Sequence, residues 1–258
     1  MPLFGRHRPE IDERLWLRLL HDYPFITRHH LALLPQLRAL SNQFLQLKQF
    51  YGAQGLIVDN YIGAAIAVQA SLPVCHLGLS WYDEFSQIVV YPEQFLVRDT
   101  RIDDDGVMHE SQDVLSGQTS ADGPVVLSWS DAHSAQTSDT YNVVIHEFVH
   151  KLDLRDGIAD GCPPLPRGQR NDWLTALHQA WQQFAELCDK AADSVPTSVD
   201  GDSQAADVYY AHLPLDPYAA TDPAEFFAVL SEVFFTDPAR LTPLFTPMQQ
   251  HLRRFFSG

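Results

Sequence analysis

The pentapeptide HEFVH at residues 146–150 constrains this chain more than any other feature of its sequence. On a helix, residues four apart differ by about 40° in azimuth and by about 6 Å along the axis, so the two imidazoles can reach one common point. Glu147 is offset from them by about 100° and lies beside that point. The apolar residues Val143, Val144 and Ile145 come directly before the motif and predict a buried helix. Polar groups on one side of such a helix need a shared partner.

These side chains match the chemistry of a zinc hydrolase. Zinc binds imidazole nitrogens, takes tetrahedral geometry and keeps one position for water when three protein ligands hold it. Glu147, beside the metal, can take a proton from that water and pass it to the leaving amine of a peptide. The motif therefore predicts one Zn²⁺ bound by His146 and His150, with a peptide substrate. The alternatives are a helix with two packed histidines and an ion-paired Glu147, and a metal hydrolase that acts on esters.

The third metal ligand must come from another part of the chain. The segment AEFFAVLSE offers two candidates, Glu225 and Glu232, which are seven residues apart and lie on nearly the same helix face. Glu225 follows Pro223, so it lies in the first helical turn and can reach across to a facing helix. Glu232 lies about 10 Å further along the axis, and we expect it to bond to the backbone or to a histidine instead. His178 and His212 are weaker candidates.

The motif helix is predicted to run over residues 138–153. Ser138, Asp139 or Thr140 can cap its start, because all three side chains accept hydrogen bonds from free backbone N–H groups. Asp153 is expected to orient a ligand histidine or to cap the end of the helix.

The periodicity of the chain predicts an α+β fold, with a helical N-terminal region and a small mixed sheet packed on the motif helix. The N-terminal helical pattern covers residues 10–50. Strands are predicted at four short segments: 55–59, 87–91, 107–115 and 123–129. Further helices are predicted at 61–69, 173–187 and 223–235.

We expect residues 1–54 to form a helical region packed on a catalytic domain at 55–258. Residues 189–217 are rich in Asp, Ser, Ala and Pro and are expected to form a loop insertion. Residues 123–129 form either an edge strand on which a peptide substrate adds by backbone pairing, or an ordinary interior strand.

The formal charge of −16, from 33 acidic and 17 basic residues, disfavours direct binding to nucleic acid and to anionic membranes. No apolar run approaches the roughly 18 residues of a membrane span, and the amino terminus has no apolar signal region. The three cysteines are widely spaced and form no disulfide framework or CxxC metal site. We therefore expect a cytoplasmic protein.

Two stretches of this sequence resemble the Mlc titration factor A family of bacterial zinc metallopeptidases. They are HEFVHKLD at 146–153 and YAATDPAEFFAVLSEVFF at 218–235, with weaker similarity at 77–97 and 123–129. The resemblance covers most of residues 40–245. It implies a zincin-like catalytic domain and a cytoplasmic, aminopeptidase-like zinc enzyme, whose metal site is similar to that of the anthrax lethal factor catalytic domain.

The resemblance also implies roles for individual residues. Its metal ligands are the two motif histidines and Glu225, and a tyrosine seven residues earlier, Tyr218, faces the site. A phenol near the metal can donate a hydrogen bond to the oxyanion of a tetrahedral intermediate. Tyr209 and Tyr210 are alternative candidates for this role.

A partner protein is implied as well, since the family is linked to binding of Mlc, the repressor of glucose-uptake genes. An Mlc-type repressor is therefore an expected partner. The alternative function is a non-enzymatic anti-repressor with a vestigial metal site. The presence of Glu147 argues against a vestigial site, because a structural zinc ion needs no general base.

Overall fold

The structure, a computed structural model, describes residues 10–102, 108–115, 117–119, 123–136, 141–200, 203–242 and 244–257. In the described chain the helices are α1 (Glu13–Asp22), α2 (Pro24–His30), α3 (Leu34–Leu47), α4 (Asn60–Ser71), α5 (Trp129–Ser134), α6 (Val143–Asp153), α7 (Arg170–Asp193), α8 (Asp207–Tyr210), α9 (Pro223–Thr236) and α10 (Thr246–Ser257). The strands are β1 (Gln49–Gly52), β2 (Gln87–Tyr91), β3 (Phe95–Ile102), β4 (Met108–Leu115), β5 (Gly117–Thr119) and β6 (Val125–Ser128). None of the described helices is long and apolar enough to cross a membrane.

The strands form a mixed four-stranded sheet and a separate antiparallel pair. In the larger sheet the order is β1-β2-β6-β5, with the first three strands parallel and β5 antiparallel to β6. Strands β3 and β4 form the second sheet. These elements confirm the predicted α+β class. They also show that residues 123–129 contribute an interior strand, β6, so the edge-strand interpretation of that segment is wrong and β5 lies at the edge.

Three buried helices form the centre of the molecule. Helix α4 is buried along ten consecutive residues, Ile62–Ser71, and its small side chains allow α3 to pack closely on it. Helix α6 packs against α4, α9 and strands β5 and β6. Helix α2 packs on α9, so the N-terminal helices and the later part of the chain share one hydrophobic core. The motif helix is therefore enclosed on most sides.

The predicted strand at 55–59 is wrong. Gln54 and Gly55 have positive φ values of 50° and 83°, and Leu56 N–H bonds to the Ala53 carbonyl oxygen, so a turn occupies the start of this segment. The segment ends at Asp59, whose side chain caps α4. The strand of this region is β1, within the part of the chain predicted to be helical.

The other sequence-predicted elements that fall on described residues are present. Helices were expected and are found at α4, α7 and α9, and strands at β2, β4 and β6. The 189–217 segment contains the end of α7, a short 3-10 helix and α8 before it reaches Pro217.

Candidate metal centre

Helix α6 carries four of the predicted site residues: His146, Glu147, His150 and Asp153. Its first turn is capped by Asn142, whose Oδ1 accepts a hydrogen bond from Ile145 N–H at 2.9 Å. The predicted caps at residues 138–140 are therefore wrong, although their own placement lies outside the described residues. The helix ends at Asp153 and continues as a 3-10 turn to Gly157, which has a left-handed φ of 87°. With its apolar positions buried in the core, α6 turns His146 and His150 towards α9.

Helix α9 presents Glu225 to these histidines. Asp222 caps the helix by accepting hydrogen bonds from Ala224 N–H and Glu225 N–H, and Pro223 occupies the first helical position. Glu225 lies in the first turn, with its Oε2 3.1 Å from His146 Nε2 and 3.3 Å from His150 Nε2. The two Nε2 atoms are 3.1 Å apart.

These three atoms have the spacing of zinc ligands. A tetrahedral zinc ion with bonds of about 2.0–2.1 Å separates its ligand atoms by roughly 3.3 Å. The measured separations of 3.1, 3.1 and 3.3 Å are close to that value. Two imidazole nitrogens and one carboxylate oxygen also form the donor set of a catalytic zinc site with one open position. The residues therefore fit a metal ion.

Glu232 supports His146 from the opposite side of the imidazole. His146 Nδ1–H donates to Glu232 Oε1 at 2.8 Å, while Glu232 Oε2 accepts from Asn142 N–H at 2.5 Å. The Nδ1 proton is thereby fixed, and Nε2 is the nitrogen that faces the cluster. Asn142 joins this arrangement to α4 because its amide donates to Gln69 Oε1 at 2.8 Å.

The charges of the cluster favour a cation. Burial lowers the pKa of His146, but hydrogen bonds to Glu225 and Glu232 outweigh it and raise that pKa well above its ordinary value. Burial raises the pKa of Glu225, yet its contacts with both histidines lower it overall, so its carboxylate stays charged. A proton and a metal ion compete for such a site.

Glu147 follows His146 on the same helix, but its carboxylate is not one of the three potential ligands of the cluster. Only 5% of the residue is exposed, and its Oε2 has no hydrogen-bond partner among the described residues. Burial raises the pKa of this carboxyl. A buried carboxylate oxygen without a partner is costly in a purely structural role and is suited to accept a proton from a substrate or water.

Tyr218 lies at the rim of the cluster, on a 3-10 helix at Pro217–Ala220. Its ring centroid is 6.2 Å from that of His146, and half of the residue is exposed. Burial of the hydroxyl raises the pKa of Tyr218, and the negative charge of Glu225, to which it is hydrogen bonded, raises it further. The phenol therefore keeps its proton. In the described part of the chain, no ring contact or hydrogen bond joins Tyr209 or Tyr210 to His146 or Glu225.

Asp153 and the remaining histidines are not among the three potential ligands of the cluster, although the charge of His150 acts on the Asp153 carboxyl. Asp153 is fully buried, and its Oδ2 accepts from Gly161 N–H at 2.9 Å, so it holds the loop that follows α6. Burial raises the pKa of Asp153 to about 7. His178 and His212 are exposed, and neither belongs to the group of potential ligands found among the described residues.

Sequence reasoning missed two contributors to this region. Asn142 is an N-cap that also holds Glu232, and its signal is its position immediately before the apolar run that opens α6. Strand β5 packs on α6 beside Glu147. Its three residues carry no apolar alternation that could have identified it.

Comparison with known proteins identifies similar sequences along nearly the whole chain. A family model described as glucose-regulated metallo-peptidase M90 matches residues 5–257. Three proteins named Mlc titration factor A are among the similar sequences. The one from Serratia proteamaculans is 38% identical over 222 residues, which is 86% of this chain and 78% of that protein. Those from Edwardsiella ictaluri and Escherichia fergusonii are 39% and 37% identical, over 86% and 96% of this chain and 78% and 85% of their own lengths.

Proposed function

This chain belongs to the glucose-regulated metallo-peptidase M90 family, and on that premise we propose that it is a zinc-dependent, aminopeptidase-like enzyme with a zincin-like catalytic domain. His146, His150 and Glu225 hold the zinc ion, Glu147 is the general base and Tyr218 stabilises the oxyanion. The observation that carries the proposal is the convergence of three potential ligand atoms, 3.1–3.3 Å apart, beside a buried carboxylate oxygen that has no hydrogen-bond partner in the described part of the chain.

The reaction is divided among the protein groups as follows. When bound, zinc supplies Lewis acidity, which polarises the scissile carbonyl and makes water acidic enough to lose a proton near neutral pH. Glu147 accepts that proton and delivers it to the nitrogen of the leaving amine. The raised pKa of the Glu147 carboxyl brings it closer to the working pH of such a shuttle. Tyr218 donates its hydroxyl hydrogen to the developing oxyanion.

The same geometry favours an extended peptide as substrate. Strand β5 ends the sheet beside α6, so the backbone groups on its outer side face away from β6. An extended chain can pair with such an edge by main-chain hydrogen bonds. The restriction to short peptides or to the N-terminal bond rests on the resemblance of residues 146–153 and 218–235.

The test is metal analysis combined with a screen of aminoacyl and short-peptide substrates, on the parent protein and on Glu147→Gln. We expect one zinc per chain in both proteins. The kcat of the variant should fall by roughly 10²–10⁴-fold, because an amide cannot accept the proton of the attacking water. A variant with full zinc and near-normal turnover would exclude Glu147 as the base. Absence of hydrolysis by the zinc-loaded parent protein would exclude the peptidase function.

A second function follows from the name of the relatives, Mlc titration factor A. We propose that this chain also binds an Mlc-type repressor, through a surface separate from the catalytic cleft. Glu147→Gln should therefore retain the repressor in a pull-down, because the substitution is buried and has nearly the same shape. Retention by the active protein alone would show that the two roles are coupled. A non-enzymatic anti-repressor remains the outcome if binding occurs without hydrolysis.

We also propose that the protein works in the cytoplasm, where thiols stay reduced. Cys75, Cys162 and Cys188 are all free thiols, and the first two are buried. Burial raises the pKa of the Cys75 thiol to about 11 and that of Cys162 to about 12, which keeps both thiols protonated and unreactive. Fractionation of the native cell with a cytoplasmic marker tests this assignment.

A further inference from the structure

Gly117 of strand β5 lies directly against the side chain of Glu147. A methyl group on Gly117 would lie 2.6 Å from both Cγ and Cδ of Glu147, and it would also contact Oε1. Real side chains do not approach so closely, so either the strand or the carboxylate would have to move. The carboxylate of Glu147 therefore occupies the space that a side chain at position 117 would need.

Position 117 requires glycine because a side chain would have no room there, and not because the backbone adopts a conformation that other residues avoid. Gly55, Gly78 and Gly157 have φ values between 83° and 87°, and a methyl group on any of them would meet nothing within 4 Å. Gly117 is the reverse case, because its φ lies outside the left-handed region while its surroundings are filled. Alanine at position 117 would be compatible with the backbone, and the three atoms nearest to its added methyl group would all belong to Glu147.

Strand β5 is fixed in place from two directions. It pairs antiparallel with β6, with Gly117 opposite Leu127 and Thr119 opposite Val125. Thr119 also donates its hydroxyl hydrogen to the Glu147 carbonyl oxygen at 3.4 Å. Residues 117 and 119 lie on the same face of a strand, so β5 contacts Glu147 at two successive positions of that face.

We propose that Gly117 is a positioning residue for the general base. Its missing side chain lets the β5 backbone lie on the carboxylate of Glu147, and this contact holds the carboxylate beside the cluster formed by His146, His150 and Glu225. The catalytic meaning of this contact rests on the proposed function, whereas the contact itself can be tested without activity.

The contact is tested by thermal unfolding of Gly117→Ala in three backgrounds: the parent protein, Glu147→Gln and Glu147→Ala. In the first two, the added methyl group meets a side chain of the same shape, and Tm should fall by about 5 °C, as for moderate overpacking of a core. In Glu147→Ala the space is open, and Tm should change little. Equal losses of Tm in all three backgrounds would overturn the proposal. If Gly117→Ala alone is insoluble, recovery of soluble protein in the Glu147→Ala background supports the proposal and failure to recover contradicts it.

The catalytic consequence is tested by the kinetics of Gly117→Ala with its zinc content. We expect full zinc occupancy, a kcat lower by on the order of 10²-fold, as for a displaced catalytic group, and little change in KM. A higher KM with unchanged kcat would instead assign Gly117 to substrate binding and overturn the proposal. If the zinc-loaded parent protein cleaves no peptide, the proposed function fails, and the thermal measurements still decide whether Gly117 makes room for Glu147.

Discussion

Helices α6 and α9 bring polar groups to the same place with two different spacings. On α6, His146 and His150 are four residues apart, and both Nε2 atoms enter the cluster, 3.1 Å from each other. On α9, Glu225 and Glu232 are seven residues apart, which corresponds to about 10 Å along the axis. Glu225 lies 3.1 Å from His146 Nε2, and Glu232 lies 2.8 Å from His146 Nδ1.

The comparison shows that the interval between two residues of a helix decides whether both side chains can reach one ion. Four residues bring two side chains to one point, whereas seven residues place them on the same face but too far apart to share an ion. The two glutamates therefore bind opposite nitrogens of one imidazole. Glu225 joins the two histidines as a potential ligand, and Glu232 fixes the orientation of His146 and its Nδ1 proton. The predictions below test this division of roles.

The largest effect is expected for Glu225→Ala. The substitution removes one of three ligands, so zinc affinity should fall by more than the roughly 10–100-fold that is typical of residues behind the ligands. Competition with a chromogenic chelator measures the affinity. Full retention of zinc by Glu225→Ala, combined with loss in Glu232→Ala or His212→Ala, would overturn the ligand set.

Tyr218→Phe tests whether the 3-10 helix that precedes α9 contributes a group to the chemistry of the cluster. The phenol hydrogen is expected to stabilise the oxyanion, so kcat should fall by roughly 10²-fold while the zinc content stays unchanged. Tyr209→Phe and Tyr210→Phe are matched controls, and both should remain near the parent rate. A slow control together with an unaffected Tyr218→Phe would mean that the wrong tyrosine has been assigned.

Glu232→Ala should have a smaller effect on the metal than Glu225→Ala. His146 Nδ1 loses its acceptor and the ring loses its fixed orientation, so we expect zinc affinity to fall by roughly tenfold to 100-fold. The same chelator competition, run in parallel, compares the two glutamates directly. Equal losses in the two variants would remove the distinction between ligand and supporting residue.

The smallest effects concern the N-caps of the two helices. Asn142→Ala and Asp222→Ala each remove a capping acceptor, which costs about 0.5–2 kcal/mol of unfolding free energy. Asn142 is buried and its loss also leaves Gln69 Oε1 without its hydrogen bond, so its substitution should cost more than that of the exposed Asp222. Urea unfolding of both variants measures the difference. A greater loss in Asp222→Ala would show that the link to α4 contributes little.

The cluster could be predicted from sequence because it depends on helical spacing, which is fixed. The interval from His146 to His150 defines a shared target wherever the helix lies. The position of Glu225 follows from Pro223, which marks the first turn of α9. The geometric arguments for these residues needed no knowledge of how the two helices cross.

Features that depend on contacts between distant segments could not be predicted in this way. Four residues of capping type, Ser138, Asp139, Thr140 and Asn142, precede α6, and propensity alone does not choose among them. Strand β5 is only three residues long and exists through its pairing with β6. The 55–59 segment has the composition of a strand. A turn occupies its start and its last residue, Asp59, caps α4, so the segment connects β1 to α4 and pairs with no strand of the described chain.

The support of the metal cluster by two capped helices has a consequence for protein design. All three ligand atoms lie on α6 and α9, and the hydrogen-bond acceptor for His146 lies on α9, held by the backbone at the start of α6. One interhelical crossing therefore defines the relative positions of all three potential ligand atoms. Residues 142–153 and 222–236 form a compact module that could be grafted onto an unrelated helical scaffold, provided that the scaffold reproduces this single crossing.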